Sequence, residues 1–230
     1  MRTAMLSRRD FCLAAAAATA AVLLPVTRAH AAGPVNQVVV WGDSMAIKWP
    51  KALAGLLGIP VLARAVGGDT IAETQQRFDT WTEPDTGHVL WGGHVDLNRQ
   101  NNSFQLVPPT IAEMAATVPP GLFMPLSLSN GPDAPEGSRG YRRLTGVNRE
   151  LARAHRSSYV EMRGYLISDG LRVANIAPTA EDLRNIEDDV PPQSLRVAPG
   201  GGNPAHLNDT GRRVVAGRLD QLIRAAGWLG

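Results

Sequence analysis

Only one cysteine, Cys12, occurs in 230 residues, and aromatics make up just 5%. A lone thiol near the start excludes a disulfide framework, a cysteine-based metal site and a thiol nucleophile in the later chain. No apolar run reaches the roughly 18 residues of a membrane span, so stable membrane insertion is not expected. Nor does one sign of charge dominate, since 23 Lys and Arg face 21 Asp and Glu, a formal +2. Arg2, Arg8, Arg9 and Arg28 against Asp10 account for that excess, so a chain starting at Ala32 carries −1. That balance argues against nucleic acid as a partner. His-x-x-x-His and paired-carboxylate spacings are also missing, and no metal or cofactor is expected.

What is present divides at about residue 31. Ser7-Arg8-Arg9-Asp10-Phe11 precedes an apolar, Ala-rich run from Cys12 to Pro25, followed by the small-x-small site Ala29-His30-Ala31. Basic region, apolar region and cleavage site stand in the order of an export signal, and the paired Arg is of the twin-arginine type. The expectation is a signal at residues 1–31, one domain over 32–230, and a periplasmic or secreted product. A hydrophobic content of 44% with 19% charged residues suits one globular domain with a full core.

Strand and helix signals alternate through that domain, which predicts a parallel sheet covered by helices on both faces. Strands are expected at 38–41, Ile59 to Val66, Val89 to Trp91, Gly121 to Leu128 and Tyr159 to Met162. Amphipathic helices are expected from about Met45 to Leu57, Ile71 to Phe78, Pro109 to Thr117, Ser138 to His155, and from just after His206 to Ala226. The stretch from Gly164 to Ala205 is rich in Pro, Gly and Asp. It reads as a long functional connection with one helical turn near Ala180 to Ile186.

The most informative stretch is Val38-Val39-Val40-Trp41-Gly42-Asp43-Ser44. A short continuous apolar run is a buried parallel strand, and it breaks at Gly42 before a helical segment. Ser44 therefore stands at the carboxyl end of a strand, where open α/β sheets bind ligands. The first amides of a helix there favour an oxyanion. Capping of the next helix by Asp43 and Ser44 is the competing reading, and a base elsewhere decides between them. His206, in Asn203-Pro204-Ala205-His206 before the last helix, is that candidate base. His88 and His155, next to element ends, read as surface residues, and His94 lies at the rim.

Taken in order, Gly42-Asp43-Ser44, Gly68, Gly93-His94-Val95-Asp96 and Asn203-Pro204-Ala205-His206 resemble the SGNH/GDSL hydrolases, a family of esterases and lipases. The resemblance spans essentially the whole domain. It implies a flavodoxin-like three-layer α/β/α sandwich with a central parallel sheet of about five strands. It implies Ser44 as nucleophile, His206 as general base, Asn203 in the orienting position, and an oxyanion hole from Ser44, Gly68 and the Val95 position. Asp43, His94 and Asp96 are the candidate substrate contacts. Two positions depart from the family: Val95 stands where an Asn donates to the oxyanion, and Asn203 where an Asp orients the base. Valine has no side-chain donor, and Asn brings no negative charge. The activity implied is hydrolysis of a small-molecule or polysaccharide ester, with O-acetyl carbohydrate suggested by His94. The alternative is a weak or inactive protein of the same fold that binds an acylated glycan or lipid.

Overall fold

A computed structural model describes residues 33–99 and 102–230. The expected export signal, residues 1–31, lies outside the described residues. The apolar run forms β1, Gln37–Gly42, joined by β2 (Val61–Ala63), β3 (Thr86–Trp91) and β4 (Phe123–Pro125). All pairings are parallel and the order is β2-β1-β3-β4. Chain order thus reverses beside β1: the chain steps to β2 on one side, then returns to β3 on the other. The resulting crevice lies at the carboxyl end of β1, where Ser44 sits.

The helices are α1 (Pro50–Leu57), α2 (Ile71–Phe78), α3 (His94–Asn98), α4 (Val107–Ala116) and α5 (Arg139–His155), then α6 (Met162–Ser168), α7 (Gly170–Val173), α8 (Ala180–Glu187) and α9 (Asp209–Ala225). Strand side chains alternate between two cores. Val38, Val40, Val89 and Trp91 pack with Leu53 of α1, Leu166 of α6 and Val215 and Leu219 of α9. Val39, Trp41 and Leu90 pack with Ile71 of α2, Ile111 of α4 and Leu144 of α5. Two apolar faces on one sheet explain why β1 is apolar throughout instead of alternating. In α9, Val215, Leu219 and Ile223 recur every four residues and are all fully buried, each contributing about 1.5–3 kcal/mol of burial.

Among the described residues the sheet has four strands where about five were expected. The predicted fifth, Tyr159 to Met162, is a single bridge between Leu126 and Val160. Glu161 ends it by accepting from the Gly164 amide as the N-cap of α6, and a chain entering a helix leaves the ladder. The stretch 164–205 is also more ordered than its composition suggests. It carries most of α6, all of α7 and α8, and a 3-10 turn at Gln193–Leu195. A reciprocal capping box between Thr179 and Asp182 starts α8. The expected helix from Met45 is split into a 3-10 turn, Ser44–Ala46, and α1, which restarts with Pro50 in its first turn. Strand β3 begins at Thr86, so His88 is inside the sheet, not on the surface, and its Nδ1 accepts from Trp41 Nε1 at 3.1 Å. Burial lowers its pKa to about 4. Among the described residues no helix is long and apolar enough to cross a membrane.

Candidate active site

The corner that carries Ser44 is held by close packing of backbone on backbone. Gly42 has φ +134°, and a Cβ there would lie 1.9 Å from the Trp91 carbonyl oxygen. Only glycine lets the ends of β1 and β3 approach this closely. Asp43 then turns the chain, its carboxylate accepting from the Met45 amide at 3.0 Å as the cap of the 3-10 turn.

The same carboxylate accepts from the His94 amide and from His94 Nδ1, both at 2.9 Å. On the far side of the ring, Nε2 accepts from the Ser129 amide at 3.0 Å. An amide can only donate, so Nε2 carries the lone pair and Nδ1 the proton. Asp43 is fully buried. Burial works to raise its pKa, but His94 beside it and the bonds from His94 and the Met45 amide hold it below the ordinary carboxylate value. Ser129 is itself fixed. Asn148 clamps Leu128 by accepting from its amide at 2.7 Å and donating to its carbonyl at 2.9 Å.

His206 reaches Ser44 from the opposite end of the chain, with Nε2 2.8 Å from Ser44 Oγ. With the imidazole proton on Nδ1, the hydroxyl donates to Nε2, the geometry of a nucleophile and its base. Burial pushes the His206 pKa below its ordinary value; the Asp43 carboxylate opposes this, while the charges of Arg212 and Lys48 reinforce it. The imidazole is therefore neutral, and able to take a proton, down to lower pH than a free histidine.

The histidine loop is organised by a residue that carries no chemistry. Arg196 is 1% exposed, and its guanidinium donates to the carbonyls of Pro191 (2.7 Å) and Pro204 (2.6 Å) and to Asn185 Oδ1 (2.6 Å). The Val197 amide donates to the His206 carbonyl at 2.8 Å, and the His206 amide to the Asn203 carbonyl at 3.0 Å. Asn208 caps α9 through the Thr210 and Gly211 amides and donates to the carbonyls of Ser194 and Arg196.

The residues expected on the oxyanion side lie on this rim. The Val66 amide donates to the Gly42 carbonyl at 3.0 Å. A Cβ on Gly67 would lie 3.8 Å from the Ser44 Cβ. Among the described residues the amides of Ser44 and Gly68 have no acceptor, and Gly68, at φ +88°, faces open space. Val95 is in the first turn of α3, half-buried, with no donor to offer.

Four expected roles are corrected by the geometry. Asn203 is exposed and spends its Oδ1 on the Ala205 amide at 2.9 Å. No hydrogen bond joins its side chain to His206, whose Nδ1 has no partner among the described residues. Proline at 204 and the tight turn to Ala205 favour this local bond over a reach to the ring. Asp43 and His94 spend their polar atoms on each other and on the backbone, so they position the corner instead of meeting substrate. Asp96 is 2% exposed and accepts from the Ile71 amide at 2.8 Å, which ties α3 to the start of α2; burial raises its pKa. Ser129, Asn148 and Arg196 escaped the sequence reading. Ser129 and Arg196 lie in loops, where only burial distinguishes them from solvated neighbours. Asn148 lies on the buried face of α5 with Leu144, Val147 and Leu151, and its place in that apolar stripe is the signal that could have found it.

No family model and no curated protein matches the sequence. Solved structures do match the fold. The chain is similar to a lipase/acylhydrolase from Enterococcus faecalis, with 13% identity and a TM-score of 0.57 over 83% of this chain and 96% of that one. It is similar to a GDSL-like lipase from Bacteroides thetaiotaomicron VPI-5482, with 15% identity and a TM-score of 0.58 over 85% and 92%. A member of the lipolytic protein G-D-S-L family from Veillonella parvula DSM 2008 matches with 15% identity and a TM-score of 0.58 over 82% and 98%. The fold of this chain is the one that these lipase and G-D-S-L structures share.

Proposed function

We propose that this protein is an exported serine esterase. One observation carries the reading: Ser44 Oγ and His206 Nε2 stand 2.8 Å apart at the carboxyl end of β1, beside amides that have no acceptor. In the first step His206 Nε2 takes the Ser44 proton as Oγ attacks the ester carbonyl. The Ser44 and Gly68 amides receive the oxyanion. The imidazolium returns its proton to the departing alcohol, and water then releases the acyl group by the same path. Buried Asp43 is the carboxylate that favours the imidazolium electrostatically. It does so across space, without a bond to the ring.

Two features keep turnover below that of a complete triad. His206 Nδ1 lacks an orienting carboxylate, a loss that costs about 10⁴ in a trypsin-like site, and Val95 gives no oxyanion donor, a loss of about 10²–10³. Both act on one transition state, so the losses need not multiply. The same features favour a second reading, a protein of this fold that binds an acylated glycan or lipid and turns over weakly. Export rests on Arg8-Arg9, the apolar run and Ala29-His30-Ala31. An O-acetyl carbohydrate is proposed as substrate by analogy with family members that carry the rim histidine.

The test is labelling with a serine-reactive phosphonate beside hydrolysis of short-chain p-nitrophenyl esters by the protein from Ala32 to Gly230. Labelling at Ser44, and turnover that falls at least about 10³-fold in Ser44→Ala, establish the esterase. An unlabelled protein that still binds acylated glycan establishes the second reading instead.

A further inference from the structure

The cleft in front of the dyad has a volume of about 310 Å³, and its charged lining is of one sign. Lys48 and Arg212 line it together with Ser44 and His206, and among the described residues no carboxylate does. Each cation is tied to one half of the dyad. Lys48 follows Ser44 on the turn into α1, and Arg212 lies in the second turn of α9, just after His206. Among the described residues Lys48 has no ion-pair partner. Arg212 pairs with Asp209 at 2.6 Å, but that carboxylate is 81% exposed and lies outside the cleft. An exposed pair of this kind is worth little and leaves the other guanidinium donors available.

Two cations facing a neutral base and a neutral hydroxyl meet no charge on an uncharged ester until the oxyanion forms, so they do nothing to draw or bind it. Their field lowers the basicity of His206, which weakens the base. An anionic group on the ester reverses that account, because it is drawn to the cleft and offsets the field at the base. On the esterase reading above, we propose that the natural ester carries a carboxylate, sulfate or phosphate group, which Lys48 and Arg212 receive. The anion belongs either to the acyl chain or to the alcohol, as in an acetylated acidic glycan.

Two matched pairs of esters separate these sources. For the acyl side, p-nitrophenyl hemiadipate is compared with its methyl diester; for the alcohol side, 4-acetoxybenzoate is compared with its methyl ester. In one arm or both, kcat/KM for the anionic ester exceeds that of its neutral partner by about tenfold at low ionic strength, the product of two modest charge contacts. That ratio falls toward one at 0.5 M salt and in the double variant Lys48→Gln/Arg212→Gln. Equal rates in both arms, with the neutral esters cleaved, overturn the charge proposal and leave the esterase standing. A preference that survives the double variant overturns it as well. If no ester is cleaved and Ser44 takes no phosphonate, the esterase reading falls and this proposal falls with it.

Discussion

The two halves of the dyad are held in different ways. On the nucleophile side, Ser44 follows a glycine on which no side chain fits and a buried carboxylate with three bonds to protein. Behind it, His94 accepts from the Ser129 amide, and Asn148 clamps the adjoining backbone of Leu128 in the core. On the base side, His206 belongs to a loop whose tip, 200–204, is exposed. That loop depends on one buried guanidinium, and among the described residues the imidazole has a single side-chain partner, Ser44. One half is over-determined and the other is adjustable. Changes at the corner should therefore damage fold and activity together, whereas changes in the loop should separate them.

The largest expected effect is at the corner. Gly42→Ala forces a methyl into the Trp91 carbonyl and should cost more than about 3 kcal/mol, with activity lost in parallel. A thermal melt within a degree or two of the parent would break the account of a rigid corner. Next comes the loop's anchor. Arg196→Met leaves two buried oxygens, the Pro191 carbonyl and Asn185 Oδ1, without this donor, frees the Pro204 carbonyl, and should cost about 2–4 kcal/mol. Because the sheet does not depend on this loop, a folded Arg196→Met protein should still present Ser44 while turnover falls at least tenfold. Retained full activity would show that the loop holds His206 without Arg196.

The pH profile sharpens the comparison further. His206 must be neutral to act, and its pKa is lowered, chiefly by burial. Activity should therefore rise with pH through a midpoint below the ordinary value of 6.5 and then level off. Asp43 opposes the lowering, so Asp43→Asn should move the midpoint further down; Arg212→Gln should move it up. A midpoint above 6.5 in the parent would contradict the electrostatics of the cleft.

The smallest effect is expected at Asn203. The family pattern suggests that Asn203→Asp restores an orienting carboxylate and raises kcat. In the structure this side chain is bound to the Ala205 amide, and Asp can accept that bond equally well. The expected change in kcat is less than about threefold, read by steady-state kinetics on a p-nitrophenyl ester. A rise of a hundredfold would mean that the loop rearranges to meet the ring.

Much of this was legible in the chain because it depends on local sequence. The continuous apolar run of β1, the glycine at its end, the amphipathic segment of α2 from Ile71 and the periodic face of α9 each express a short-range rule of burial or backbone freedom. The elements that went astray are those decided by neighbours. A fifth strand needs a partner beyond one residue, and Glu161 commits the chain to α6 instead. The order within 164–205 comes from packing such as that of Gly170 against Leu195, which composition does not reveal. The roles of Asp43 and His94 were misread because a polar residue on a rim looks alike whether it faces solvent or another side chain.

The sequence by itself determined that a serine stands at a strand end, that a histidine heads the last helix, and that a parallel α/β sheet separates them. Tertiary structure alone decided that Ser44 and His206, 162 residues apart, come within 2.8 Å. It also decided that Asn203 turns away, and that Lys48 and Arg212 face one cleft. The physical reason is range. Strand and helix follow from patterns a few residues long, whereas the direction of a polar side chain depends on which distant donor or acceptor the fold brings within about 3 Å.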